Sequence, residues 1–358
     1  MLNTTRAIID LAALRNNFAV VHAQSPHSKI LALVKADAYG HGMLPVARAL
    51  HDADGFAVAR LEEALQLRDA GITQRILLLG TLLDADDLRL CSAKNIDITV
   101  HDLTLTKLVA ASAAKHPLRV WLKLDSGMHR LGLQPDDFRA ADIQLRNRTG
   151  IIELLHLTHF SSAEDFTSTA TEQQLQQFAA AHPDSQLGAS LANSAALIAR
   201  PQTRAQWVRP GIMLYGINPV TAHTSLPLQP VMTLSAKVLA VREIAAGEAV
   251  GYNRTWTAAR SSIIATIGIG YGDGYPRHAR NGTPIWINGE IAPLAGRVSM
   301  DSITVDVTDL KPVQVGDDAI LWGPQLSAAQ VAEYAETISY ELFTAIGHRV
   351  PRLFVNEQ

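Results

Sequence analysis

The chain has 358 residues, 47% hydrophobic and 18% charged, with 31 Lys and Arg against 34 Asp and Glu and a formal net charge of −3. That balance excludes a disordered chain and gives no electrostatic case for binding nucleic acid or an anionic membrane. One cysteine, Cys91, excludes an internal disulfide, no Cys/His cluster points to zinc or another metal, and a reducing cytoplasm is the expected compartment.

The first twenty residues carry Arg6, Asp10 and Arg15 and no long apolar core, so no secretory signal is expected. From residue 30 onward, short apolar runs alternate with helix-like segments. The runs are ILALVK (30–35), GFAVA (55–59), RILLL (75–79), IDITV (96–100), LRVWLKL (118–124), IIELLHL (151–157), QLGASL (186–191) and WVRPGIML (207–214). Between them, LEEALQLRDAG (61–71) and TEQQLQQFAAAH (171–182) repeat apolar residues at helical spacing. Near-continuous apolar strands are the mark of parallel strands buried on both faces. Eight of them, alternating with helices, predict a (β/α)8 TIM-type barrel in preference to an open doubly wound sheet.

Residues 210–236 lack Lys, Arg, Asp and Glu, but Pro210, Pro219, Pro227 and Pro230 interrupt them, so no membrane span is expected. After about residue 225 short β runs take over, among them SSIIATIGIGYGDGY, TPIWINGEIAPLAG and DSITVDVTDL, with turn signals at 288–290 and 316–317. Only 327–336 there has clear helical spacing. The expected layout is a barrel over residues 1–225 and a smaller, mostly β domain over 226–358, with residues 1–8 as candidates to pair with that domain.

The stretch VKADAYGHG (34–42) places Lys35 at the end of the first barrel strand. Functional side chains of such barrels sit at the C-terminal ends of strands, and a partly desolvated lysine amine loses proton affinity, which suits it to bond an aldehyde or act as a base. A lysine reaching from the barrel rim into water fits the position equally well. Phosphate sites in such barrels often follow strands 7 and 8. Here those strands lead into ANS (192–194) and RPG (209–211), where Asn193, Ser194 and the amides of Gly211 and Ile212 are candidate phosphate ligands. Asn193 also reads as an ordinary helix cap. A lysine across the mouth from a phosphate site is a layout for pyridoxal 5′-phosphate; Tyr39, four residues on, suits a flat cofactor or ordinary packing.

VKADAYGHG, KLDSGMHRLG (123–132), THF (158–160), ANS, RPGIMLYG (209–216), GYNRTW (251–256), GYGDGYPR (270–277) and GRVSMD (296–301) together resemble the signature blocks of the bacterial alanine racemases. They occur in family order across essentially the whole chain. The resemblance implies a pyridoxal-phosphate barrel with a β domain, interconverting L- and D-alanine by a two-base mechanism. It implies that Lys35 is the Schiff-base lysine and one base, that Tyr39 is a ring or phosphate contact, and that Tyr252 is the other base. A phenol is a poor base at neutral pH, and by resemblance His159, held by Arg209, assists it. In the family that tyrosine comes from a partner subunit, which implies a homodimer with shared active sites.

Arg209 resembles the arginine facing the pyridine nitrogen; it only donates hydrogen bonds, so the ring nitrogen is expected to stay unprotonated and side reactions to be limited. Arg130 resembles the arginine near the cofactor's phenolic oxygen and the substrate carboxylate. Lys123 resembles a lysine that the family often carries as a carbamate. Met300 and Asp301 resemble residues receiving the substrate carboxylate, and Tyr271 resembles a tyrosine of the substrate entrance. One departure stands out: where some members have a phosphate-contacting tyrosine before RVPR, this chain has His348. His156 and His159 do not read as a metal pair, because strand side chains three apart point to opposite faces. A non-catalytic pyridoxal-phosphate-binding barrel and a broader racemase acting on serine remain the alternatives, and both a role in D-alanine supply for peptidoglycan and one in its breakdown fit these motifs.

Overall fold

A computed structural model of the chain describes residues 4–182, 187–220 and 225–357. Strand β1 (Thr5–Asp10) runs directly into the helix Leu11–Gln24, which Asp10 caps by accepting hydrogen bonds from the Ala12 and Ala13 amides. The next eight strands are β2 (Lys29–Leu33), β3 (Gly55–Val58), β4 (Arg75–Leu78), β5 (Ile96–Val100), β6 (Leu118–Lys123), β7 (Ile151–Leu157), β8 (Ala189–Asn193) and β9 (Trp207–Arg209). Each pairs in parallel with the next, and β9 pairs back onto β2, closing the barrel. The alternating helices cover its outside, so the barrel expected from the sequence is the barrel that forms.

The strand ends differ from the sequence expectation by one residue at β3, β4 and β6, and by more at β2, β8 and β9. β2 stops at Leu33, so Lys35 lies just beyond the strand rather than on its last position. β8 begins at Ala189; of the expected run 186–191, Gln186 lies outside the described residues. β9 stops at Arg209 instead of continuing to 214, because Pro210 brings no amide to a ladder, and Ile212–Tyr215 wind into a 3-10 turn.

The lower mouth of the barrel is polar inside. Arg75 at the start of β4 lies 3.4 Å from Asp97 on β5 and 2.5 Å from Glu153 on β7, and its guanidinium covers the Trp207 ring at 5.0 Å. Trp121 Nε1 donates to Asp97 at 2.9 Å. Burial pushes the Asp97 carboxyl up to about 6, against the pull of Arg75.

The C-terminal half is built on β10 (Met232–Ile244), followed by the short pair β11 (Ala249–Val250) and β12 (Trp256–Thr257), then β13 (Ser262–Ile267), β14 (Pro284–Ile287), β15 (Glu290–Pro293), β16 (Ile303–Asp306), β17 (Asp318–Trp322) and β18 (Arg352–Val355). The sheet order is β15-β14-β17-β10-β1-β18, with β13 and β16 continuing from the far half of β10. β1 is thus an inner strand of this sheet, antiparallel to β10 with Thr5 opposite Ala236, and parallel to β18 with Ala7 opposite Arg352. A helix at Ala328–Tyr334 answers the helical spacing of 327–336. A second helix, Ser339–Ala345, is not signalled by its sequence SYELFTA, which has few strong helix formers. It forms because Leu342 and Phe343 bury fully against the body of the protein.

Candidate active site

Lys35 is presented by an unusual piece of backbone. Ala36, Asp37, Ala38 and Tyr39 all have φ between 51° and 54° and ψ between 41° and 52°, forming one turn of left-handed helix, and Gly40 continues at φ +77°. Left-handed geometry costs about 1–2 kcal/mol per non-glycine residue, so the turn needs support from outside itself. The buried His41 provides some of it. Burial lowers the His41 imidazole to about 4, so the ring is neutral, and Nδ1–H donates to the carbonyls of Tyr39 (2.9 Å) and Ala38 (3.1 Å). Asp37 Oδ1 accepts from the Met43 amide at 2.7 Å. The rings of Tyr39 and His41 pack on Tyr215, and Phe343 from the helix Ser339–Ala345 meets His41 edge-on.

Both glycines of the motif have steric duties. A Cβ on Gly40 would stand 2.2 Å from the Phe343 carbonyl oxygen. One on Gly42, at φ +96°, would stand 2.8 Å from the Phe354 ring. The C-terminal half therefore presses directly on the turn.

The turn opens into a cavity of about 610 Å³ at the C-terminal mouth of the barrel. Lys35 and Tyr39 line it from the turn, Lys123 and Arg130 from β6 and the loop beyond, and His159 from the end of β7. Asn193, Ser194, Arg209 and Gly211 line it from β8 and β9, and the fully buried Ile212 follows next in the chain. Asn193 caps the helix Ser194–Ala199 by accepting from the Ala196 amide, and Ser194 Oγ accepts from the Gly211 amide at 2.8 Å. A Cβ on Gly211 would come 2.6 Å from Tyr39 Oη, so only glycine leaves that corner open.

The site is rich in positive charge. Arg209, almost fully buried, donates to Ser190 Oγ (2.7 Å), to the carbonyls of Thr158 (2.6 Å) and Leu191 (3.1 Å), and to His159 Nδ1 (3.2 Å), all uncharged acceptors. Burial lowers its guanidinium to about 9, which leaves it charged at neutral pH. Because arginine only donates, His159 Nδ1 is an acceptor there, and the imidazole proton resides on Nε2. Burial, reinforced by Arg209, holds His159 well below the usual imidazole range, so the ring is neutral. Burial lowers the Lys123 amine to about 8, with Arg209 and Arg130 adding to the shift. Burial and then Arg130 also lower Lys35, while Glu63 opposes them. Arg209, buried among uncharged acceptors, with Lys123, Lys35 and Arg130 lining the same cavity, makes this a place for an anion.

The remaining expected residues form a second group on the C-terminal half. Tyr252 sits on the turn Tyr252–Arg254 and is 66% exposed. Tyr271 begins the turn Tyr271–Asp273, with Arg277 over its ring, and the Met300 carbonyl accepts from the Gly272 amide. Met300 is exposed, and Asp301 pairs with Arg349 at 2.7 Å. None of these four lines the Lys35 cavity within this chain. His348 is exposed and does not line it either; Tyr340, from the unforeseen helix, does, with its ring 5.8 Å from that of Tyr39. His156 turns away from the cavity to Asp142 (3.0 Å) and His182 (2.7 Å).

Residues 9–219 match the model of the alanine racemase N-terminal domain, and residues 231–354 that of the alanine racemase C-terminal domain. Curated alanine racemases of Vibrio parahaemolyticus and Chromohalobacter salexigens are 45% and 46% identical, each over 98% of both chains. The chain belongs to the alanine racemase family. It is an isomerase that interconverts L- and D-alanine with pyridoxal phosphate as its cofactor. The crystal structure of the biosynthetic alanine racemase from Pseudomonas aeruginosa superposes with a TM-score of 0.96 at 44% identity, covering 99% of this chain and all of that one. The alanine racemase of Bartonella henselae, solved with covalently bound pyridoxal phosphate, superposes with a TM-score of 0.90 at 33% identity over 98% of this chain and 99% of that one.

The cavity of this alanine racemase suits that cofactor: an amine of lowered proton affinity for the aldehyde, an uncrowded glycine corner with a serine hydroxyl and a phenol for the phosphate, and cations for the net negative charge. Some of its contributors escape sequence reasoning. Gln174, in TEQQLQQF, reads as a residue of a solvated helix face. In the fold it is buried, donates to the His159 carbonyl (2.9 Å) and Ser126 Oγ (3.2 Å), and accepts from the Ser161 amide (2.9 Å). Among the described residues no helix is long and apolar enough to cross a membrane, and no acid, His and Cys cluster is arranged to hold a metal.

Proposed function

We propose that Lys35 and Tyr252 are the two bases of this alanine racemase, acting on opposite faces of the substrate, with Tyr252 supplied by a second copy of the chain. Pyridoxal phosphate, when bound, withdraws electrons from the substrate Cα and so acidifies its proton. Lys35 anchors the cofactor and, once free, exchanges a proton with Cα through its Nζ. Its lowered proton affinity supports that role, since an amine must be partly neutral near pH 7 to accept a proton. Tyr252 exchanges the proton on the other face through its hydroxyl. His159, with its proton on Nε2, donates toward that phenol oxygen and stabilises the deprotonated form, while Arg209 fixes the tautomer from the other nitrogen.

Ser194, the amides of Gly211 and Ile212, and Tyr39 hold the phosphate; Asn193 fixes the turn that carries Ser194. Arg130 receives the substrate carboxylate, with Met300, Asp301 and Tyr271 completing the entrance from the second copy. The single observation that supports the shared site is the separation of the two groups: in one chain, Tyr252 stands exposed on the C-terminal half and does not line the Lys35 cavity. A homodimer in the cytoplasm is the corresponding assembly and place.

Incubation with L-alanine in deuterated water tests the assignment. Lys35→Ala is expected to lose the absorbance of the lysine-bound cofactor and to lose turnover. Tyr252→Phe is expected to keep the absorbance, lose most racemisation, and still exchange the Cα proton of one enantiomer for deuterium through Lys35. Equal exchange into both enantiomers removes Tyr252 from the role of a base for one face. Mixing the two inactive variants is expected to restore part of the activity in mixed dimers, and no restoration argues against a shared site.

A further inference from the structure

Glu63 is the third residue of the helix Leu61–Asp69, and its carboxylate is used on both oxygens. Oε2 accepts from the Ala59 amide at 2.9 Å and the Arg60 amide at 3.1 Å, which is the ordinary return of an acidic side chain onto the start of its own helix. Oε1 does something that capping does not require. It accepts from the amide of Ala36 at 2.6 Å, across to a different loop of the barrel mouth. Ala36 is the residue after Lys35 and the first of the four left-handed residues. Both Ala36 and Ala59 line the cavity.

An amide at the start of a left-handed turn has no partner within that turn, for the same reason that the first amides of any helix are unpaired. A short charge-assisted bond from a carboxylate satisfies it and adds to the support that the strained backbone needs. The charge also matters. Arg130, from the loop after β6, is the cation that acts on the Lys35 amine, while Lys123 from β6, His159 after β7 and Arg209 from β9 line the same cavity. The acids are Glu63 and, from the helix Ser339–Ala345, Glu341, whose carboxylate is engaged by the Thr337 hydroxyl.

We propose that Glu63 is a positioning residue for Lys35: it pins the backbone next to the lysine through the Ala36 amide and holds a fixed negative charge beside the amine, keeping enough proton affinity there for the lysine to serve as a base. This rests on the reading of Lys35 as cofactor anchor and base. Burial and Arg130 both weaken proton binding at that amine, and Glu63 opposes them. With Glu63 in place it accepts a proton and can return it.

The test uses the full-length protein freed of cofactor with hydroxylamine, then mixed with pyridoxal phosphate at a series of pH values. Only the neutral amine attacks the aldehyde, so the rate of appearance of the lysine-bound absorbance rises through the proton affinity of Lys35. In Glu63→Gln the midpoint of that rise is expected to move to lower pH by roughly one unit, and the acidic limb of kcat in the holoenzyme to move the same way. Glu63→Asp keeps the charge but is too short to reach Ala36. It is expected to hold the midpoint near the wild-type value while lowering the plateau rate severalfold. A merely structural glutamate would lower melting temperature and plateau without moving any midpoint, and an unmoved midpoint in Glu63→Gln overturns the proposal. Should Gln not be accommodated in the fold, Glu63→Asp decides it, and a plateau rate equal to wild type overturns it. Failure of the unmodified protein to bond pyridoxal phosphate would instead overturn the reading of Lys35.

Discussion

Substituting Gly40 by alanine tests whether the left-handed turn is braced by the C-terminal half. Two costs add. At φ +77° a side chain meets left-handed strain, about 1–2 kcal/mol. The new Cβ would stand 2.2 Å from the Phe343 carbonyl oxygen and 3.0 Å from its carbon, and both are backbone atoms of a packed helix that must retreat, at about 1–3 kcal/mol for overpacking. The expected destabilisation is therefore about 2–5 kcal/mol. Gly71 supplies the control. Its φ is +82°, yet no heavy atom lies within 4 Å of the Cβ it would carry, so Gly71→Ala carries the strain alone, about 1–2 kcal/mol. Urea unfolding followed by circular dichroism measures both variants. The excess of Gly40→Ala over Gly71→Ala isolates the close approach. Because the retreating helix carries Tyr340 and the turn carries Lys35, Gly40→Ala is also expected to bind pyridoxal phosphate more weakly, whereas Gly71→Ala is not. Equal destabilisation by the two substitutions would refute the bracing argument.

Three further outcomes are expected. Arg209→Glu places a carboxylate where the ring nitrogen is expected to lie; the ratio of transamination to racemisation, read from pyruvate formed per D-alanine, should rise, and an unchanged ratio refutes the role given to Arg209. Asp97 has a folded-state pKa of about 6, above the usual carboxylate value. Its protonated form therefore stabilises the fold fully below about pH 4, and that contribution is lost as pH rises through about 6, on the order of 2–3 kcal/mol. Asp97→Asn should flatten this slope in unfolding free energies measured between pH 4 and 7. For Lys123, an amine lowered to about 8 has a neutral fraction able to add carbon dioxide, forming an N–C bond and releasing a proton. Native mass spectrometry in bicarbonate should find the adduct, Lys123→Ala should abolish it, and a bare amine in bicarbonate rules it out.

Much of the barrel was legible because each buried parallel strand is a short apolar run and each intervening helix repeats at helical spacing. The position of Lys35 was legible within two residues, since strand ends at a barrel mouth are functional ground. Its presentation was not. Ala36, Ala38 and Tyr39 disfavour positive φ and only Asp37 tolerates it as a single residue, so the turn exists because His41, Glu63 and Phe343, all from outside it, hold it. The closeness of Gly40 and Gly42 to Phe343 and Phe354 is a contact between residues some three hundred positions apart, which no local pattern carries. Tyr340 was missed for a related reason: SYELFTA has weak local preference, and its helix is made by packing. Glu63 has the local setting of any acid in the first turn of a helix, and only the fold brings Ala36 to its second oxygen.

The place of β1 in the sheet has a consequence for synthesis. It is the first described strand to leave the ribosome, yet its partners are β10 and β18, with Ile9 opposite Met232 and Asp10 opposite Val355. At about 5–20 residues per second, on the order of 10–50 s pass before β10 emerges, and longer before β18 does. Throughout that interval β1 carries two unpaired edges and the buried apolar side chains Ala7 and Ile9, a segment open to mispairing with other nascent chains. The growing chain thus holds its barrel and an orphan strand together until β10 and β18 arrive. Chaperone dependence, if measured by ribosome-bound chain length, should end only when β18 is released.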